Sequence, residues 1–318
     1  MEILPGIHRI ASVVGGRPLY LYLLRGSQRT VLIDTGTASD PAAVLFPYLA
    51  RLGLQPTDLD VVIVTHSDFD HCGGNAAIKQ AHPDIVLSCG EADRFLIEDP
   101  ERMLAFRYTH YAERHGIAYD AATQQSIRAA LGAPQPVDCT WRGGEVLRLG
   151  PDWLVELHHT PGHSFGHLTV FDPRRRIAFT GDAVQGRVYP DTAGRPALCP
   201  TYLYVDQYLQ TITYLEQLRP ELLCGSHWPV WQGDQASRFL AESRQFVELA
   251  DRLVREALRE RPHTLRELIT RLGPRLGEWP RTVDLELVYC LHGHLERLAA
   301  REEVLVDDTQ RPVVYRAR

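Results

Sequence analysis

The chain has 318 residues, 44% hydrophobic and 23% charged, a composition that is typical of globular proteins and excludes fibrous and disordered classes. Its net charge of -6 gives it no general attraction for nucleic acid or anionic lipid. No apolar run approaches the roughly 20 residues that a membrane span needs. The N-terminus lacks a signal-peptide pattern, and the cysteines show no C-x-x-C spacing. These features predict a cytoplasmic protein with reduced thiols and no membrane partner.

In chain order, short apolar runs at 6–11, 19–24 and 30–33 predict strands, and the pattern from 39 to 52 predicts a helix. A strand at 61–65 leads through Gly73 and Gly74 into a helix near 75–81, and another strand follows at 84–88. Residues 91–132 are polar, aromatic and helical in pattern, which indicates an insert over the active face. Further strands are predicted near 145–148, 153–159, 167–172, 175–180 and 222–224, with a helix at 203–218.

After residue 235 the pattern becomes mostly helical. Helices are predicted at 236–260, 263–272 and 283–301, the second with Thr264 as a cap, and two strands end the chain. Three helices and a hairpin are the parts of a winged helix. We therefore predict two domains, residues 1–234 and residues 235–318, the second winged-helix-like.

Histidines and aspartates cluster where the predicted strands end. T-H-S-D-F-D-H-C-G-G at 65–74 follows the strand at 61–65, and T-P-G-H, T-G-D and G-S-H come later. Neutral imidazole and carboxylate groups are the usual protein ligands of divalent metals, and a rigid scaffold presents them best from loops. The pattern predicts a metal centre built from four strand ends.

The order D-T-G, H-x-x-x-D-H-x-G-G, T-P-G-H, T-G-D, G-x-H resembles the metallo-β-lactamase fold superfamily over about residues 1–232. The resemblance implies an α+β fold, a four-layered αβ/βα sandwich with two divalent ions at one edge. It also implies a first metal position formed by His66, Asp68 and His163, and a second formed by Asp70, His71 and His227. Asp182 would bridge the two ions. Asp34 and His167, which lie next to the ligands, would orient the ligand side chains without binding metal.

Asp68 departs from the family pattern, which has histidine at that place. The extra carboxylate lowers the formal charge of the loaded centre by one unit. We therefore expect a bridging water with a pKa above the value of about 7 that is typical of zinc-bound water. Zinc is the usual metal of the family, but the carboxylate favours harder ions such as manganese or iron.

The resemblance implies a dinuclear metallohydrolase whose bridging hydroxide attacks an ester, thioester, lactone or related small organic substrate, with Asp70 and Asp182 as catalytic residues. Two alternatives remain open. One is a di-iron redox protein acting on oxygen or nitric oxide, although the chain has no flavodoxin-like segment. The other is an RNA-cleaving nuclease. The predicted recognition helix at 283–301 lacks the basic footprint that DNA binding requires, which disfavours a nucleic-acid partner. A homodimer is also left open.

Aromatic side chains in three segments are candidates for substrate binding. The insert also offers Arg107 and His115. The aromatic group suits a partly apolar cleft for a small organic ester better than one for a polyanion. The predicted substrate-binding residues are Tyr108, Tyr111, Tyr202, Tyr204 and Trp228.

Overall fold

A computed structural model describes residues 1–318. The first sheet takes its strands in sequence order, antiparallel up to the fourth strand and parallel after it. The strands are β1 Glu2–Leu4, β2 Ile7–Val14, β3 Arg17–Arg25, β4 Thr30–Ile33, β5 Val61–Val64, β6 Val86–Gly90 and β7 Cys139–Trp141.

Short helices cover one face of this sheet. They are α1 Phe46–Arg51, α2 Phe69–Cys72, α3 Asn75–Ala81, α4 Arg94–Ile97, α5 Pro100–Met103, α6 Tyr111–His115 and α7 Ala121–Leu131. Single π-helical turns occur at Pro41–Leu45 and Leu104–Tyr108. The predicted insert at 91–132 is therefore helical, and it contains the second of these π turns.

The second sheet has the strand order β15-β14-β11-β10-β9-β8, with β11 and β14 parallel. Its strands are β8 Val146–Gly150, β9 Trp153–His159, β10 Leu168–Asp172, β11 Ile177–Gly181, β14 Leu222–Gly225 and β15 Trp231–Gln232. Between β11 and β14 the chain forms the small hairpin of β12 Tyr189–Pro190 and β13 Pro196–Leu198, followed by the helix α8 Val205–Leu218.

Strand β5 shows why the layers stack as they do, because side chains alternate between the two faces of a strand. Val61 and Ile63 join the core between the two sheets, whereas Val62 and Val64 join the core under the helices of the first sheet. A strand that is buried on both faces has an unbroken apolar run as its sequence. Helix α8 and the C-terminal helices cover the outer face of the second sheet. This arrangement confirms the predicted fold class.

The C-terminal segment contains α9 Asp234–Glu260, β16 His263–Thr264, α10 Leu265–Leu276, a 3-10 turn at Arg281–Glu286, α11 Leu287–Ala300, β17 Val304–Asp307 and β18 Val314–Ala317. Its three strands pair in the order β16-β18-β17. Thr264 caps α10, as predicted, in a capping box with Glu267. One continuous hydrophobic core joins this segment to α8 and Trp228. The boundary at 234/235 stays a prediction.

The edge of the sandwich that carries the site is where parallel strand ends meet. Strands β4 and β5 end there in the first sheet, and β11 and β14 end there in the second. The Leu168 backbone N–H donates to the Thr65 carbonyl at 2.8 Å, and the Tyr22 hydroxyl donates to the Gly225 carbonyl at 2.9 Å. These bonds hold the two sheets in register at the point where loops follow the strands, so the loop side chains are brought together.

Candidate metal centre

The residues that the sequence placed at strand ends lie together at this edge. Three overlapping groups each have their ligand atoms within 4.8 Å of one another. These groups are His66 with Asp68 and His163, His66 with His71 and Asp182, and Asp70 with His71 and His227. All of these side chains are buried except that of Asp68, which is 15% exposed.

Gly181 makes this convergence possible on the side of the second sheet. It has φ +49, and a Cβ there would lie 2.8 Å from the Thr65 hydroxyl. Any side chain would therefore push β11 away from the loop after β5. With glycine at this position, Asp182 lies directly beneath the first-sheet ligands.

Asp34 holds two of the histidines in one tautomer. It accepts hydrogen bonds from the Thr65 backbone N–H at 2.7 Å, the Thr65 hydroxyl at 2.9 Å and His71 Nδ1 at 2.8 Å. The Thr65 hydroxyl in turn lies 3.0 Å from His66 Nδ1 and accepts from it. Both Nδ1 atoms are thus donors, so both Nε2 atoms carry a free lone pair. The orienting role predicted for Asp34 would rest on these hydrogen bonds.

His167 and His227 are fixed by other contacts. His167 stacks on the His66 ring, with centroids 4.9 Å apart, and its Nε2 accepts from the Asp182 backbone N–H at 3.2 Å. His227 Nδ1 donates to the Pro18 carbonyl at 2.7 Å. The Tyr189 hydroxyl donates to Asp182 Oδ2 at 2.8 Å. These contacts orient the remaining ligand atoms toward the same point.

Three buried polar atoms at this point have no hydrogen-bond partner: His66 Nε2, His71 Nε2 and Asp182 Oδ1. With both rings neutral, all three are acceptors, and buried acceptors without partners cost about 1–3 kcal/mol each. A cation satisfies such a set, whereas a further acceptor does not. The residues present therefore fit a divalent metal, with nitrogen and oxygen donors in the combination that such ions prefer.

The carboxylates around His71 create a negative electrostatic potential at its ring. Burial disfavours a charged imidazole, yet the carboxylates of Asp34 and Asp70 raise the pKa of His71 to about 10. Burial likewise opposes ionisation of Asp182, but His227 and His71 lower its pKa to about 2. In the metal-free protein His71 therefore takes up a second proton at Nε2, and a metal ion would replace that proton as the positive charge at the centre.

Arg107 has a contact that the sequence did not indicate. It lines the cavity at the centre, but its guanidinium also forms a fork with Asp68, with Nε 2.8 Å from Oδ1 and Nη2 3.2 Å from Oδ2. Burial opposes the ionised form of Asp68, but Arg107 and His163 hold its pKa well below the usual range. The expected extra negative charge from Asp68 is therefore compensated by Arg107, and the charge argument for a less acidic bridging water loses its basis.

The cavity at the centre has a volume of about 210 Å³. Tyr108 lines it, and its hydroxyl donates to Asp68 Oδ1 at 3.1 Å. Sequence reasoning missed Arg17, Tyr119, Tyr189, Glu286 and Tyr289, which also line the cavity. Glu286 and Tyr289 lie in the C-terminal segment, and no motif in the sequence marked them.

The other predicted substrate residues lie outside this cavity. Tyr111 packs against Tyr289 and His292, and Tyr202 is fully buried with its hydroxyl 2.9 Å from His294 Nε2. Tyr204 packs against Phe165. Trp228 donates its indole N–H to the Val188 carbonyl and lines a neighbouring pocket. We therefore do not propose these four as substrate contacts.

Comparison with known proteins gives the same family as the motifs. The family model described as the metallo-beta-lactamase superfamily matches residues 14–227. An acyl-coenzyme A thioesterase from Gallus gallus is 29% identical over 192 residues, covering 53% of this chain and 58% of that protein. A hydroxyacylglutathione hydrolase from Haemophilus influenzae is 29% identical over 146 residues, covering 46% of this chain and 59% of that protein. The chain thus spans less than two thirds of the length of either relative.

Two solved structures share the fold over nearly the whole chain. A metallo-beta-lactamase family protein from Thermus thermophilus has a TM-score of 0.75 at 23% identity and covers 99% of this chain and 100% of its own. A beta-lactamase domain protein from Burkholderia ambifaria has a TM-score of 0.75 at 20% identity, covering 100% and 93%. Both likenesses concern the fold, including the C-terminal segment.

Proposed function

Because the chain belongs to the metallo-beta-lactamase superfamily, we propose that it is a metal-dependent hydrolase of a small organic ester, thioester or lactone. The observation that carries this proposal is the set of three buried, unpartnered acceptor atoms, His66 Nε2, His71 Nε2 and Asp182 Oδ1, beside the cavity. When bound there, divalent metal supplies Lewis-acid activation of water and of the scissile carbonyl.

The ligands in this proposal are those the family motif assigns. His66, Asp68 and His163 form the first position, and Asp70, His71 and His227 form the second, with Asp182 between them. Asp34 and Thr65 fix the ring tautomers, and Tyr189 holds one oxygen of Asp182 so that the other faces the centre. Asp70 lines the cavity, where its carboxylate can orient an incoming water.

The shape and charge of the cavity support a small substrate. A volume of about 210 Å³ accommodates the reacting end of a molecule rather than a polymer chain. Burial raises the pKa of Glu286, although the Tyr119 hydroxyl, 2.8 Å from both carboxylate oxygens, opposes the rise. The nuclease alternative stays a prediction.

In this proposal the C-terminal segment, residues 235–318, is a winged-helix-like domain that covers the cavity and does not bind nucleic acid. Helix α11 is buried along most of its length, from Leu287 to Leu295, and the Tyr289 hydroxyl donates to the Arg107 carbonyl at 3.2 Å. A helix that packs on its own protein in this way is not available to enter a DNA groove. The segment instead helps to fix the residues around Asp68.

Hydrolysis of chosen substrates tests the proposal. The metal-loaded protein should cleave at least one of a matched series of ester, thioester and lactone substrates and leave a phosphodiester intact. Asp182→Ala should abolish the activity, whereas Asp172→Asn, at a buried aspartate at the end of β10, should keep it. Full activity in Asp182→Ala would refute the proposed mechanism.

The di-iron redox alternative stays a prediction with its own test. Protein expressed without added metal should contain no iron pair, and it should show no visible absorption that changes with oxygen. Two irons per chain with an oxygen-reactive spectrum would replace the hydrolase proposal with the redox one.

A further inference from the structure

The carboxylate of Asp68 has no free acceptor site. Oδ1 accepts from Arg107 Nε at 2.8 Å and from the Tyr108 hydroxyl at 3.1 Å. Oδ2 accepts from Arg107 Nη2 at 3.2 Å and lies 2.9 Å from His163 Nε2. A carboxylate offers about four lone-pair directions. All four are engaged, so a metal ion must displace an existing partner to use Asp68.

Both ring nitrogens of His163 are also engaged in hydrogen bonds. Gln185 Oε1 accepts from the Thr201 backbone N–H at 2.8 Å, which fixes the orientation of the amide. The amide nitrogen of Gln185 therefore faces His163 Nδ1, 2.8 Å away, and donates to it. With Nδ1 an acceptor, the ring proton is on Nε2, where it donates to Asp68. At the first position Asp68 and His163 are thus both engaged in hydrogen bonds with other residues, and only His66 Nε2 has no partner.

At the second position the carboxylate of Asp70 has only histidine neighbours, His71 and His227. His227 Nε2 lies 3.5 Å from Asp70 Oδ2, and His71 Nε2 lies 3.9 Å from Asp70 Oδ1 and 4.0 Å from Asp182 Oδ1. A tetrahedral ion with bonds of about 2.0–2.1 Å separates its ligand atoms by about 3.4 Å. These atoms therefore already stand near coordination spacing, and His71 Nε2 has no other partner.

The net charge of the side chains also favours a cation at the second position over the first. At the first position the guanidinium of Arg107 cancels the one carboxylate, Asp68. At the second position Asp70 and Asp182 have no arginine partner, and Asp34 lies behind His71 at 2.8 Å. A cation is attracted to net negative charge and repelled by a nearby guanidinium.

We propose that Arg107 makes the two metal positions unequal. One ion binds tightly at the position of Asp70, His71, His227 and Asp182, and the position of His66, Asp68 and His163 binds weakly because Arg107 already supplies a cation there. The inference concerns the same site as the proposed function, but it is a statement about metal affinity and does not depend on any substrate.

Titration of the metal-free full chain with Co²⁺ against a chromophoric chelator tests this proposal. The wild type should bind one equivalent tightly and a second at least about tenfold more weakly, because the guanidinium repels the second ion at short range. Arg107→Gln should raise the affinity for the weakly bound Co²⁺ ion and reduce the difference in affinity between the two ions. Arg114→Gln is the matched control, since Arg114 is in the same insert but pairs with exposed Asp308.

Two results would overturn the proposal. The wild type could bind two Co²⁺ ions with equal affinity, or Arg107→Gln could leave the difference in affinity between the two ions unchanged. Single-ligand variants give the same answer if Arg107→Gln fails to fold. His163→Ala should keep the tight equivalent, and His227→Ala should lose it; the reverse pattern would also overturn the proposal. Since no substrate is present, an absence of hydrolase activity would leave this measurement intact.

Discussion

Asp34→Asn should weaken metal binding without unfolding the protein. Asp34 has a backbone φ of 62°, which asparagine adopts more readily than most residues. The amide oxygen can still accept from the Thr65 backbone N–H. The amide nitrogen, however, replaces the oxygen that accepts from His71 Nδ1 and from the Thr65 hydroxyl.

The expected effect follows from the two ring tautomers. An amide nitrogen donates to His71 Nδ1, which moves the ring proton to Nε2 and blocks the metal-binding lone pair. The Thr65 hydroxyl, now an acceptor from the amide, turns its proton toward His66 Nδ1 and has the same effect on that ring. Loss of such an outer partner costs about 10–100-fold in metal affinity. One lost charge-assisted hydrogen bond should cost about 1.5–3 kcal/mol of stability.

A competition titration with Zn²⁺ and a chelator of known affinity measures the first effect, and urea unfolding of the metal-free protein measures the second. Asp172→Asn is the matched control, because Asp172 is equally buried but accepts from Arg175 away from the site. Wild-type metal affinity in Asp34→Asn would show that Asp34 does not set the tautomers, and the reasoning would be refuted.

Three further predictions concern the cavity and the C-terminal segment. Glu286→Gln should raise kcat/KM for an anionic ester over a neutral ester with the same leaving group by roughly threefold to tenfold; an unchanged ratio would remove Glu286 from substrate selection. Burial, aided by His115, lowers the pKa of His292 to about 3. The unfolded chain therefore takes up this proton near pH 6.5 and the folded chain does not, so stability falls as the pH drops from 6.5 towards 3. His292→Leu should reduce the pH dependence of the free energy of unfolding by up to about 1.4 kcal/mol per pH unit, measured by urea unfolding at about pH 7 and pH 5. An equal pH dependence in the wild type and the variant would contradict the assignment. Thr264→Ala should cost about 1 kcal/mol through loss of the cap on α10, with Thr270→Ala, whose hydroxyl bonds only within that helix, as the unaffected control.

The sequence predicted which side chains come together where a residue follows a buried strand directly. His66, Asp182 and His227 come one or two positions after β5, β11 and β14, and parallel strand ends meet at one edge. Local spacing was therefore enough to predict which side chains come together. The same holds for Asp34, which follows β4.

Residues that reach the site through tertiary docking were not predictable in this way. Arg107 meets Asp68 because the π turn at Leu104–Tyr108 is held down by Tyr289 of α11, a contact between residues 182 positions apart. Tyr202 and Tyr111 were predicted to bind substrate, but they are buried under α11 and its neighbours. Periodicity within a segment carries no information about which distant segment covers it.

Other predictions stand where the sequence left them. No helix is both long and apolar enough to cross a bilayer. The cytoplasmic location, the homodimer and the identity of the metal remain predictions. All six cysteines are free thiols in the structure.

Metal dependence of hydrolysis is the most direct test of the central claim. The protein should lose its ester or thioester hydrolysis when chelated and dialysed, and regain it on addition of Zn²⁺ or Mn²⁺ with one tightly bound ion per chain. His227→Ala should neither retain that ion nor regain activity. Hydrolysis that persists in metal-free protein, or in His227→Ala without bound metal, would contradict the account.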